Sequence, residues 1–199
     1  MSRAVVLGGG PAGYFGAIRA AELGASVLLL EATRSPLQKV RISGGGRCNV
    51  TQHQFDPTVL VTRYPRGAKE LRGVLSRFGP RETMQWYEAH GVALKVEPDG
   101  RVFPTTDSSE TIVDCLQAAA AKAGVEVRLG ATIASATREL ELTLKDGTVV
   151  RDVHAVGRRL VADRSALDGV ARRRVDRGPV RAGVVRERDV RPHARGQRG

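Results

Sequence analysis

Three glycines constrain this chain more than any other feature. Gly8, Gly10 and Gly13 stand in the spacing G-x-G-x-x-G, directly after the apolar, partly β-branched run 4–7 and directly before the helix-tolerant stretch 14–23. Few folds place so open a turn between a strand and a helix. Gly24 then stops the helix, and 26–31 follow as a short apolar run without alternation, which suits a parallel strand covered on both faces. The reading is a βαβ start. It predicts an α/β fold with a doubly wound, Rossmann-like parallel sheet.

The spacing also carries chemistry. Gly8 permits the tight turn, Gly10 lets backbone approach a pyrophosphate, and Gly13 lets the helix pack closely on the strand, with Ala17 one turn on keeping that contact small. Pro11 and Ala12 lie between the glycines, at the helix N-terminus, where unpaired N–H groups and the positive dipole end favour phosphate. Glu31, followed by Ala32, ends the second strand 18 residues after Gly13. A carboxylate there accepts hydrogen bonds from the adenosine ribose hydroxyls and repels a 2′-phosphate, which favours FAD or NAD over NADP. Between FAD and NAD the fingerprint is silent, because both use it.

Further along, helices are expected over 68–78 and 80–90, the second opened by Pro80 and stopped by Gly91. Pro98, Asp99 and Gly100 make a turn between strands at 92–97 and 101–103. Asp107 and Glu110 have capping-box spacing at the start of a third helix, whose face Ile112, Leu116, Ala119 and Ala123 ends before Gly124. Strands are expected at 125–129, 132–136, 140–144 and 148–150, the last two joined around Asp146 and Gly147 as part of a small antiparallel β-meander.

Between the βαβ start and these elements runs Lys39-Val40-Arg41-Ile42-Ser43-Gly44-Gly45-Gly46-Arg47-Cys48-Asn49-Val50-Thr51. This run resembles the signature of the BaiN-like flavoproteins, also described as aminoacetone-oxidase-family FAD-binding enzymes or NAD(P)/FAD-dependent oxidoreductases. The run Glu97-Pro98-Asp99-Gly100-Arg101-Val102-Phe103-Pro104 is similar to that family too, and the likeness extends over about 3–150. It implies an FAD-dependent oxidoreductase that moves electrons or hydride through FAD, with NAD(P)H as donor and a small-molecule substrate. It also implies that Ser43, Gly44, Gly45, Gly46, Arg47, Cys48 and Asn49 lie along the flavin end of FAD, and that Ile133 contacts the cofactor as well. Consecutive glycines bring backbone N–H groups close to a flat ring or a pyrophosphate. Arg47 or Lys39 could stabilise negative charge on the phosphates or the reduced flavin. A redox role for Cys48 would need a second thiol nearby, and Cys115 sits on the third predicted helix, so a small buried residue is the preferred reading. Met84, Trp86 and Tyr87 read as core packing, and His53 and His90 have no partner in the sequence that would make either a base.

From about Arg151 the composition changes abruptly. Residues 1–150 hold 18 Lys and Arg against 15 Asp and Glu, whereas 151–199 hold 14 Arg, no Lys and 6 acids, and lack Ile, Phe, Tyr, Trp, Met, Asn, Thr and Cys. Most of the net charge of +11, namely +8, therefore belongs to the tail. The family implied by the resemblance should place there a strand and a second glycine-rich turn; 152–155 begin plausibly, but Gly157, Arg158 and Arg159 break the pattern. The domain reading is an incomplete FAD/dinucleotide-binding domain at 1–150 followed by an irregular Arg-rich tail at 151–199. A frameshift near 150–157 of a GC-rich gene would explain the tail, the rival being a genuine basic tail for nucleic acid. The tail lacks the aromatic residues and spacings of familiar nucleic-acid modules, so nucleic acid is not the expected partner. A nucleotide-binding fragment without turnover stays open as a second function. No apolar run approaches a membrane span, the first strand leaves no room for a signal peptide, and the two cysteines suggest neither a disulfide framework nor a zinc site. The expectation is a cytoplasmic protein without metal or membrane; the sequence does not give its oligomeric state.

Overall fold

The computed structural model describes residues 3–137, 140–151 and 155–158, the last as backbone only. In chain order the elements are β1 (Arg3–Leu7), α1 (Pro11–Glu22), β2 (Ser26–Leu30), α2 (Gln38–Ile42), β3 (Thr51–Gln52), α3 (Pro57–Leu60), α4 (Ala68–Leu75), α5 (Pro80–Ala89), β4 (Leu94–Val96), β5 (Arg101–Pro104), α6 (Ser109–Lys122), β6 (Glu126–Arg128), β7 (Ile133–Ala136), β8 (Leu142–Leu144), β9 (Val149–Val150) and β10 (Ala155–Arg158).

The central sheet has the strand order β10-β1-β2-β6, and every pairing in it is parallel. The expected doubly wound α/β fold is thus observed. Its sheet steps outward from β1 through β2 to β6, then returns to place β10 on the other side of β1. That reversal creates the crevice at the carboxyl ends of the strands where such sheets bind ligands.

Side chains on β1 and β2 alternate between two separate cores, as the period of a strand requires. Val27 and Leu29 face α1 and α6, where they meet Tyr14, Ala17, Ile18, Ile112, Leu116 and Ala119. Val5, Leu7, Leu28 and Leu30 face the opposite way, onto Ala131, Leu142, Leu144 and Val150. The three-stranded antiparallel sheet β7-β8-β9 is therefore the layer that covers the second face. This explains why β2 reads as four apolar residues in succession without alternation: each face has a lid. Burying a Leu or Val of this kind stabilises the fold by roughly 1.5–3 kcal/mol.

The crossover from β2 to β6 is long and carries a second antiparallel sheet, β3-β5-β4. The hairpin at Pro98, Asp99 and Gly100 forms as expected, and β3 adds to it as a third strand that the sequence reading did not anticipate. At two residues, β3 is too short to carry a pattern.

The α6 cap differs from expectation. The N-cap is Ser108, whose hydroxyl accepts the Glu110 N–H, whereas Asp107 lies one residue outside at φ 54° with its carboxylate turned to Lys95 and Arg47. An ion pair across the sheet won over a local cap. Gly157 and Arg158, read as a break in the pattern, instead pair in parallel with Val6 and Leu7 as part of β10. Backbone pairing to the neighbouring strand tolerates side chains that a composition argument would reject. The residues beyond Arg158 proposed as a tail lie outside the described residues.

Candidate dinucleotide site

The turn that leaves β1 is held from three directions. Gly8 sits at φ 103°, and its N–H donates to the Leu30 carbonyl at 2.8 Å, tying the turn to β2. Gly13 packs so closely over the turn that a Cβ there would overlap the Gly8 carbonyl oxygen, nearer than any real Cβ approaches. Glu31 supplies the third hold: its Oε2 accepts the Gly9 N–H at 2.6 Å, while Oε1 accepts the Thr33 N–H and the Thr33 hydroxyl, both at 2.8 Å. The glycine turn, the start of α1 and Glu31 thus form one hydrogen-bonded unit at the carboxyl ends of β1 and β2.

Helix α1 begins at Pro11 with Gly10 as N-cap, one turn earlier than the apolar pattern suggested. Proline at the first helical position loses nothing, because its missing N–H would have had no intrahelical partner. No side chain caps this end and no acidic residue lies in its first turn. The backbone donors of Ala12 and Gly13 and the helix dipole therefore remain available to an anion.

Burial pushes the Glu31 carboxyl up, but the N–H groups of Thr33 and Gly9 and the Thr33 hydroxyl outweigh it and leave the pKa below the ordinary carboxylate value. The group is ionised at neutral pH. A carboxylate has about four lone-pair positions, and three are used, which leaves one on Oε2 for a further donor such as a ribose hydroxyl. Ala32 is exposed beside it. The Ala131 N–H donates to the Glu31 carbonyl at 2.8 Å and the Gly130 N–H to the Thr33 carbonyl at 3.0 Å. These bonds tie the segment before β7 to the Glu31 end of the site, while Ile133 itself packs, partly buried, against the second core.

Residues 43–49 lie at the end of α2. Ser43–Gly46 form a single tight turn in which Gly44, Gly45 and Gly46 are all left-handed, at φ 56°, 69° and 85°. The first two glycines have opposite surroundings. A Cβ on Gly44 would meet the Asn49 nitrogen at 2.8 Å and the Phe103 ring at 2.9 Å, whereas one on Gly45 would meet nothing within 4 Å. One side of the turn is packed and the other is open.

Arg47 belongs to the packed side. Its guanidinium stacks over the Phe103 ring at 4.1 Å and pairs with Glu97 at 2.5 Å and Asp107 at 3.5 Å. The sequence suggested a cation for the cofactor, but the structure shows one engaged by two carboxylates of its own chain. Asn49 accepts the Val102 N–H through Oδ1 at 3.3 Å and so stitches the turn to β5. Both residues join the glycine turn to the 97–104 run, a link that the sequence offered only as two separate likenesses. Lys39 is exposed on α2.

Cys48, at φ 60°, and Cys115 are both buried and free, in one core cluster with Tyr87. Burial raises the Cys48 thiol above its ordinary value and pushes Cys115 up to about 11, so neither is a thiolate at neutral pH. Tyr87 is raised by burial as well. His90 stacks on Trp86 with Nδ1 at 2.7 Å from the Trp86 carbonyl oxygen, and His53 meets the Phe55 ring. Among the described residues no group of His, Cys, Asp and Glu could hold a metal ion, and no helix is long and apolar enough to cross a membrane.

The HI0933-like protein Rossmann domain matches the chain over residues 2–156. The ribosomal RNA dihydrouridine synthase of Escherichia coli is 32% identical over 136 residues, which is 68% of this chain and 33% of that protein. The 3-dehydro-bile acid delta(4,6)-reductase of Clostridium scindens is 31% identical over 169 residues, 84% of this chain and 38% of that protein. The chain therefore spans about a third of the length of these curated relatives. Among solved structures, Thermovibrio ammonificans THI4 superposes with a TM-score of 0.56 at 16% identity, covering 86% of this chain and 62% of that one. The 3-ketosteroid-delta4-(5alpha)-dehydrogenase of Rhodococcus jostii gives 0.57 at 15%, covering 75% and 43%. At such identities the structures show that the fold is shared.

Proposed function

We propose that this chain, which belongs to the HI0933-like Rossmann domain family, serves as the FAD-holding part of a flavin-dependent reductase. The observation that carries the reading is the linking of three features: the uncapped N-terminus of α1, the glycine turn clamped by Glu31, and the left-handed glycine backbone with one open side, which follows the short α2 whose N-cap Leu37 donates its N–H to the Gly9 carbonyl at 2.9 Å. The residues present fit FAD. Gly13 leaves the close approach that a Cβ would fill, Ala12 and Gly13 present N–H groups for the pyrophosphate, and Glu31 keeps a lone pair for the ribose. Ala32 and Ile133 would flank the adenosine half, while Gly45 and Gly46 would face the flavin half. Lys39 is the cation proposed for the cofactor's negative charge, since Arg47 spends its charge holding the turn.

FAD supplies two-electron exchange when bound. The chain's own residues orient it and shield it from water; no side chain among the described residues is needed as an acid or base for that task. NAD(P)H is proposed as electron donor. Both relatives' names describe saturation of a carbon–carbon double bond, in a uridine of RNA and in a bile acid, and the same reaction class is proposed here.

Residues 1–150 with β10 are proposed as the cofactor domain, and 159–199 as out-of-frame sequence. The pairing of β10 with β1 and a family match ending at 156 support a break after β10. Reading the coding DNA in all three frames tests it: another frame continuing with a glycine-rich turn is expected, and its absence would leave the tail genuine. For the cofactor, the test is the flavin released by heat from purified protein. FAD is the expected product on chromatography; protein that neither carries nor takes up FAD would refute the reading.

A further inference from the structure

The positive charge of the folded part is concentrated in one place. Of the 18 Lys and Arg in residues 1–150, six fall in 62–81: Arg63, Arg66, Lys69, Arg72, Arg77 and Arg81, with Glu70 the only acid among them. The rest of 1–150 then holds 12 basic and 14 acidic residues, a slight negative excess. All six cations are exposed, and among the described residues none takes part in an ion pair. Elsewhere on this fold several cations are paired: Arg41 with Glu110, Arg47 with Glu97, Lys95 with Asp107 and Arg101 with Asp99.

Aromatic and apolar side chains stand among the six. Tyr64 and Phe78 are each more than two-fifths exposed, and Val74 is 60% exposed. Arg81 stacks on the Phe55 ring at 4.2 Å. Helix α4 buries none of its residues fully and carries Lys69 and Arg72 one turn apart. Exposed cations outside any ion pair, in a segment that also exposes Tyr64 and Phe78, are a combination that holds single-stranded nucleic acid: cations track the phosphates and rings stack with bases.

We propose that residues 62–81 form a docking surface for single-stranded RNA. The inference rests on the reductase reading only for its purpose, which is to bring an RNA pyrimidine to the flavin; the binding itself stands on the surface described.

The test uses the full chain and a labelled, mixed-sequence single-stranded RNA of about twenty nucleotides, followed by fluorescence anisotropy at several salt concentrations. Two triple variants are compared: Arg66→Glu, Arg72→Glu, Arg77→Glu on the surface, and Arg172→Glu, Arg173→Glu, Arg174→Glu in the 159–199 segment. Net charge changes equally in both. The surface triple is expected to weaken binding about tenfold or more near 0.1 M salt and to flatten the log–log salt slope by about 2, as loss of three phosphate contacts implies. The 172–174 triple is expected to stay within about threefold of the parent, a change of under 1 kcal/mol. Tyr64→Ala, an exposed substitution, is expected to weaken binding about fivefold or more by loss of a stacked base.

Equal losses in the two triples would overturn the proposal, because total charge alone would then explain the binding. Tighter capture by phosphatidylserine vesicles than by RNA, abolished by the surface triple, would overturn it in favour of a membrane. Self-association that disappears on Val74→Ser with Phe78→Ser would overturn it in favour of a second copy. Flavin content measured on the same samples separates the two readings: RNA binding without flavin sinks the reductase and keeps the surface, and flavin without RNA binding does the reverse.

Discussion

Replacing Gly44 and Gly45 separately by alanine distinguishes the packed side of the glycine turn from its open side. Both residues are left-handed, so alanine at either position costs about 1–2 kcal/mol of backbone strain. At Gly45 nothing lies within 4 Å of the new methyl, and the cost ends there. At Gly44 the methyl meets the Asn49 nitrogen at 2.8 Å and the Phe103 ring at 2.9 Å. Neither neighbour yields easily: Asn49 is bonded to Val102, and Phe103 is fully buried under Arg47. Forced overpacking adds about 1–3 kcal/mol. Gly44→Ala should therefore be the less stable variant by about 1–3 kcal/mol, a Tm some 2–12 °C lower for a domain of about 150 residues. Thermal and urea unfolding followed by circular dichroism read the stability, and visible flavin absorption reads the cofactor. Gly45→Ala should fold and yet lose flavin, because its methyl enters the space assigned to the ring. Equal stability losses, or a Gly45→Ala protein with full flavin content, would refute the assignment of the two sides.

Three further outcomes follow from the same structure. Glu31 has a depressed pKa in the fold, so its stabilisation is present above the ordinary carboxylate value of 4.5 and is lost as pH falls through the lower folded value; Glu31→Gln should flatten the acid limb of a Tm-against-pH curve between about pH 5 and 3, and an unchanged limb would contradict the clamp. Cys48 and Cys115 should resist iodoacetamide at neutral pH until the protein is unfolded, as judged by intact mass, and rapid modification of the folded chain would refute their burial as neutral thiols. Leu29→Ala, at a fully buried site between β2 and the α1–α6 layer, should cost about 2–5 kcal/mol in urea unfolding, whereas Leu23→Ala, exposed after α1, should cost less than about 1.

What the sequence made legible was the part governed by local rules. The glycine spacing, the unalternating run in β2 and the stop at Gly24 lead directly to the βαβ unit, because each reflects a backbone demand met within a few residues. The meander was legible from turn residues such as Asp146 and Gly147. What stayed hidden depends on contacts distant in sequence. Asp107 has a good local cap spacing, yet its carboxylate goes to Lys95 and Arg47, which only the fold brings near. Arg47 reads as a free cation until Glu97 and Phe103 arrive from fifty residues away. Glu31 was expected at a ribose; that it also grips the Gly9 N–H could not be seen, since no pattern records which donor a carboxylate meets. The tail dominates the net charge, which masks in the sequence the cluster of cations at 62–81 that, among the described residues, take part in no ion pair.

The central claim is that this fold holds FAD by its adenosine half as well as by its ring. Calorimetric titration of flavin-stripped protein with FAD and, separately, with FMN tests it most directly. The account predicts one FAD per chain, little or no heat with FMN, and competition by ADP, since the glycine turn and Glu31 serve the half that FMN lacks. Equal binding of FAD and FMN, or no binding of either, would contradict it.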